Sequence, residues 1–96
     1  GLNETAIGLS LPAFGVELAR ERLLPTALGE ATLLARLYGP ADAARVGYLD
    51  RAVAATAFDA AVAEAAEAML RLDGAAFAVT KRRLRGGSLE RKNVLF

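Results

Sequence analysis

The chain has no cysteine, no histidine and no tryptophan among its 96 residues. Without cysteine there is no disulfide framework and no thiolate chemistry, which fits a reducing, cytoplasmic setting. The absence of both His and Cys excludes a structural zinc site and a Ser-His or Cys-His catalytic pair within these residues. Charge of one sign is lacking too. The 12 basic and 11 acidic residues leave a net charge of +1, so no strong field draws the chain to nucleic acid or to an anionic membrane. No apolar run reaches the roughly 18 residues that a membrane span needs. The opening residues lack the basic start of a signal peptide.

What is abundant is alanine, at 22 positions, within a hydrophobic fraction of 54%. That fraction argues for a packed protein and against disorder. Alanine favours helix but buries little area, and aromatics make up only 6% of the chain. Closely packed helices of this kind need more partner surface than 96 residues supply, so the expectation is one domain at most, and a piece of something larger.

Taken in order, residues 1–11 read as a loop or short extended segment ahead of Pro12. Ala13–Leu23 reads as a helix with Leu11, Phe14 and Leu18 on one face, ended by Pro25. Thr26 caps a second helix to about Leu37, striped by Leu28, Ala31, Leu34 and Ala35 and stopped by Gly39-Pro40. A two-turn helix follows over Ala41–Val46, closed by Gly47. Tyr48–Val53 is the only strand-like stretch, and Asp50-Arg51 is a candidate surface ion pair. Thr56-Ala57-Phe58-Asp59 resembles a capping box. Behind it Phe58, Val62, Ala65, Met69 and Leu72 keep helical spacing up to Asp73, with Gly74 as the stop. The last helix spans Ala75–Arg85, and Gly86-Gly87 ends it before an irregular tail, 86–96.

The candidate for chemistry is Glu4, in Gly1-Leu2-Asn3-Glu4-Thr5-Ala6-Ile7-Gly8. Its neighbours Ala6, Ile7, Leu9 and Leu11 offer apolar surface, and a carboxyl group that loses water there has its pKa raised toward values useful for proton transfer. The plain alternative is a glutamate that caps a loop or helix. Lys81, Arg82, Arg83 and Arg85 close the last helix, where basic side chains complement the helix dipole.

Gly1-Leu2-Asn3-Glu4-Thr5, then Ile7-Gly8 and Pro12, resembles the segment Gly-x-[Pro/Asn]-Glu of the crotonase superfamily, the enoyl-CoA hydratases and isomerases. The Asn-Glu-Thr version is closest to the mitochondrial-type isomerases. Further on, Ala41–Val53 is similar to the family's Ala-rich run into Gly-[Leu/Phe]-Val-[Asp/Asn], with Tyr48 and Leu49 at the apolar pair. Phe77–Leu84 resembles its closing pattern with a central lysine. The order and spacing of these pieces cover about residues 1–85. At the family's usual Gly-Gly-Thr the chain departs, with Phe14-Gly15-Val16, and Lys92–Phe96 fall outside the resemblance.

The resemblance implies the helical, mainly α, C-terminal portion of a crotonase-like α/β spiral fold over 1–85. It implies an enoyl-CoA isomerase or hydratase in which Glu4 shuttles a proton. The enolate is held by an oxyanion hole from backbone N–H groups that precede the glutamate segment in the family. It further implies a fatty acyl-CoA thioester as substrate, with no separate cofactor and no metal. Lys81 becomes a contact for the CoA phosphates, and the subunit a member of a homotrimer or hexamer. No nucleic-acid or membrane partner is expected. The alternative is a non-catalytic helical interaction or assembly module on the same scaffold.

Overall fold

The computed structural model of the chain describes residues 1–94. Its elements are a 3-10 turn over Glu4–Ile7, then α1 (Ala13–Arg22), α2 (Leu28–Thr32), α3 (Pro40–Val46), α4 (Phe58–Leu70) and α5 (Gly74–Val94), with short 3-10 turns leading into α2 and α4. There is no strand among the described residues. The chain divides into two units: Gly1–Ala52 with the chain from Glu90 onward, and Val53–Leu89.

In the first unit a small core joins Ala19 and Leu23 of the α1 region, Ala27 and Ala31 of the α2 region, and Val46 of α3. Leu2, Leu28, Tyr38 and Tyr48 pack around it, half-buried. Leu23 and Val46 are the only buried hydrophobic side chains larger than alanine among the described residues. Each contributes about 1.5–3 kcal/mol, so backbone geometry carries much of the specification. Gly47 shows this. It closes α3 in the left-handed region, at φ 110, with its N–H bonded to the Ala43 carbonyl. A Cβ there would sit 2.5 Å from the Arg22 carbonyl oxygen. The glycine therefore lets the ends of α1 and α3 meet, and Leu24 N donates to Val46 O at 2.9 Å across that junction.

Several expectations need correction. The buried positions of the α1 region are Ala19 and, at its C-cap, Leu23, whereas Leu18 is exposed. The second helix ends at Thr32, not near Leu37. The chain turns at Ala35, whose φ is 55, while Arg36 N donates to Glu30 O at 3.2 Å. Two side chains beyond the turn, Arg36 and Tyr38, also come back to Glu30. These contacts override helix propensity and leave Leu34 exposed. Gly39 then caps α3, with Pro40 at its first position. Tyr48–Val53 is irregular, not a strand. Asp50 bonds Arg22 at 2.6 Å.

In the second unit, the Thr56 side chain makes no cap bond, and α4 stops at Leu70. Gly74 begins α5 rather than ending α4, because Asp73 caps the new helix by accepting from Ala76 N at 2.7 Å. Gly86-Gly87 does not break α5, which continues to Val94. A helical glycine costs about 1 kcal/mol relative to alanine, and the charged run that follows suits a helix. The part of the expected irregular tail over 86–94 is thus helical, and the rest lies outside the described residues. No described residue of this unit is buried. The row Phe58, Val62, Met69 and Leu72 has the expected helical spacing but faces solvent.

Candidate functional site

Glu4 opens the first 3-10 turn. Leu2, two residues earlier, is anchored against the core. One residue later Thr5 Oγ1 donates to Leu33 O at 2.9 Å. Gly8, at φ 80, closes the turn by donating its N–H to the Glu4 carbonyl. The backbone of Glu4 is therefore tied on both sides. Its side chain is half-buried, and Oε1 is shut off from solvent with no hydrogen-bond partner among the described residues. A carboxylate used only to cap a loop would spend its oxygens on nearby N–H groups, as Asp73 does at the start of α5.

The other buried side-chain polar atom without a partner among the described residues is the hydroxyl of Tyr48. Burial first, then the neighbouring Tyr38, then the charge of Glu4 push that hydroxyl above the ordinary tyrosine value. The rings of Tyr38 and Tyr48 lie 5.6 Å apart at 55°. Tyr38 donates its hydroxyl to Glu30 Oε2 at 3.2 Å, and the Arg36 guanidinium lies over its ring at 4.8 Å. Arg36 also bonds Glu30 and reaches Asp42 at 3.5 Å. The hydrogen bond from Arg36 holds the Glu30 carboxyl below its ordinary value. Sequence reading placed Tyr48 only at an apolar position. The available signal was a hydroxyl-bearing ring where the family pattern has Leu or Phe.

Lys81 belongs to the second unit, on α5, exposed, with Nζ 6.0 Å from the centre of the Phe77 ring. It lines a groove of about 520 Å³ with Met69, Leu72, Phe77, Leu84 and Arg85 among others. Glu4 is not among those lining residues. No group of three or more acidic side chains among the described residues is arranged to hold a metal ion. No described helix is long and apolar enough to cross a membrane.

Comparison of the fold with solved structures is decisive. An enoyl-CoA hydratase/isomerase family protein from Pseudomonas syringae superimposes with a TM-score of 0.94 at 30% identity, over 99% of this chain and 41% of that one. The chain is a crotonase-superfamily segment. An enoyl-CoA hydratase from Mycobacterium marinum matches at TM-score 0.87 and 29% identity, over 96% of this chain and 41% of that one. An enoyl-CoA isomerase from Mycobacterium tuberculosis matches at 0.89 and 30%, over 97% and 41%. The crotonase segment thus spans about 40% of the length of these chains, corresponding to their C-terminal part. No family model and no curated protein sequence is matched.

Proposed function

We propose that this crotonase segment carries the proton-transferring carboxylate of an enzyme acting on enoyl-CoA thioesters, and that Glu4 is that group. The observation that carries the reading is the isolation of Glu4 Oε1, buried and without a hydrogen-bond partner among the described residues, on a backbone tied by Leu2 and Thr5. An acceptor held in that way is suited to taking a proton from carbon, because no donor competes for its lone pair.

In the isomerase form Glu4 removes a proton from C2 or C4 of the enoyl thioester and returns it to the other carbon. The enolate oxygen meanwhile rests on backbone N–H donors, which in the family precede the glutamate segment. In the hydratase form the same carboxylate manages the proton of water adding across the double bond. The acyl-CoA is substrate in both, and no further cofactor takes part. Lys81 is proposed as a cation for the CoA phosphates. The exposed apolar residues of α4 and α5, such as Phe58, Met69, Leu70 and Leu84, support assembly into a homotrimer or hexamer.

The test is an assay of enoyl-CoA double-bond shift and hydration on the full chain, wild type against Glu4→Gln. General acid–base catalysis is worth about 10²–10⁴-fold, so the variant loses at least a hundredfold of whichever activity is present. Equal rates remove Glu4 from the mechanism and leave an assembly module on a crotonase scaffold.

A further inference from the structure

We propose that Thr5 is a positioning residue for proton transfer at Glu4: its hydroxyl, bonded to Leu33 O, fixes the turn that carries the carboxylate. The inference rests on Glu4 being the proton-transferring group, as argued above.

The turn draws little support from burial. Of residues 1–10 only Leu2 and Glu4 are half-buried, and the others face solvent. Asn3, at the start of the turn, makes no side-chain cap bond. The bonds from Ala6 N to Asn3 O and from Leu9 N to Glu4 O close the turn only on itself. A short 3-10 turn has poor hydrogen-bond geometry of its own. The Thr5 hydroxyl supplies a tie from outside, donating to Leu33 O at 2.9 Å, 28 residues further along the chain. Threonine hydroxyls in turns ordinarily bond within a few residues of themselves, so this reach joins two segments rather than finishing one.

The second support is how the acceptor is supplied. In a helix running on to Leu37, the Leu37 N–H would take Leu33 O, the carbonyl four residues back. Instead α2 stops at Thr32 with Leu33 as its C-cap, and the chain turns at Ala35, whose φ is 55. Arg36 holds that turn, its N–H donating to Glu30 O and its guanidinium to the Glu30 carboxylate. The early stop leaves the Leu33 carbonyl to Thr5. The same loop meets the opening segment again ahead of Glu4: a Cβ on Gly1 would lie 2.7 Å from Leu37 Cδ2 and 3.1 Å from Arg36 O. Glu4 is thus flanked by two points of contact with one loop, at Gly1 and at Thr5.

Thr5→Val keeps the shape of the side chain and removes the donor. The bond is exposed, so water satisfies Leu33 O in the variant and the fold persists. A reacting group misplaced by about 1 Å costs about 100-fold in rate. In the full chain, kcat of Thr5→Val therefore falls about 10–100-fold, KM stays within about twofold, and Thr5→Ser recovers most of the rate. A wild-type kcat in Thr5→Val, or a Thr5→Ser as slow as Thr5→Val, overturns the role of Thr5 alone while Glu4→Gln stays inactive. A wild-type rate in Glu4→Gln overturns both readings. Loss of the helical circular dichroism in Thr5→Val also overturns the proposal, because Thr5 then holds the fold and not the carboxylate. Amide exchange gives a measurement independent of catalysis. The Leu9 N–H, bonded to Glu4 O at 2.9 Å, exchanges about 2–12-fold faster in Thr5→Val, a range set by the net worth of one hydrogen bond. Unchanged exchange there means that the bond does not hold the turn, and the proposal fails whatever the activity.

Discussion

Replacing Gly47 by alanine tests the geometry on which the site stands. The residue sits at φ 110 and ψ −1, a conformation that costs an L-residue about 1–2 kcal/mol. Space is a second penalty. The added Cβ would meet the Arg22 carbonyl oxygen at 2.5 Å and Leu23 Cα at 3.3 Å, where ordinary contact begins at 3.4 Å. Both atoms are backbone, so no side chain can swing away and the end of α1 must retreat. Overpacking of this kind costs about 1–3 kcal/mol, and the two penalties together come to about 2–5 kcal/mol. The Arg22–Asp50 ion pair and the Leu24–Val46 hydrogen bond cross the same junction, so little is left to absorb the shift. Urea unfolding followed by circular dichroism reads the result. With a slope near 1 kcal/mol per molar urea for a chain this small, the midpoint falls by at least about 2 M, or the native baseline is lost. Gly29→Ala is the control. It lies within α2, its Cβ meets nothing within 4 Å, and it stabilises by about 0.5–1 kcal/mol. A wild-type midpoint for Gly47→Ala refutes the argument that steric closeness at this turn joins α1 to α3.

Asp73→Ala removes the side-chain cap of α5 and lowers stability by about 1 kcal/mol. Faster amide exchange at Ala76 is the specific sign, and unchanged exchange there means that the cap carries no weight. Glu30 links stability to pH. Its carboxyl is held below the ordinary value of 4.5, first by the hydrogen bond from Arg36, so it favours the folded state above that value. The contribution disappears as the pH falls through the lowered value. Stability measured between neutral and acid pH therefore declines less in Glu30→Gln than in wild type, and equal declines contradict the linkage.

The periodic parts of the chain were legible before the fold was known. Ala13–Arg22, Pro40–Val46 with its Gly47 stop, and most of Phe58–Leu70 follow from apolar spacing and from the glycine and proline signals. The departures share a cause. The helix after Thr26 ends at Thr32 because Arg36 and Tyr38 return to Glu30, contacts that no local propensity contains. Gly74 and Gly86-Gly87 were read as stops from composition alone. Asp73 shows that the first is a helix start, and the continuous α5 shows that a glycine pair inside a helix is a cost, not a veto. At the candidate site, Glu4 was visible through its motif. The burial of the Tyr48 hydroxyl was not, since burial is a property of the fold.

The composition explains why the first unit relies on turns and polar clamps. Alanines dominate its buried positions, so apolar burial alone gives little preference for one arrangement of α1, α2 and α3 over a slightly slipped one. Directional contacts make that choice. The Gly47 junction fixes α1 against α3, Thr5 fixes the opening turn to Leu33, and the Glu30–Arg36–Tyr38 cluster fixes the ring that backs Tyr48. Thr5 adjoins Glu4 in the chain, while Gly47 and the Tyr38 ring adjoin Tyr48. Small side chains allow the backbones to approach closely, and Glu4 Oε1 and the Tyr48 hydroxyl are each buried in this unit. A bulkier core could supply more stability, but it would hold those backbones further apart. The sparse core and the isolated carboxylate thus have the same physical origin.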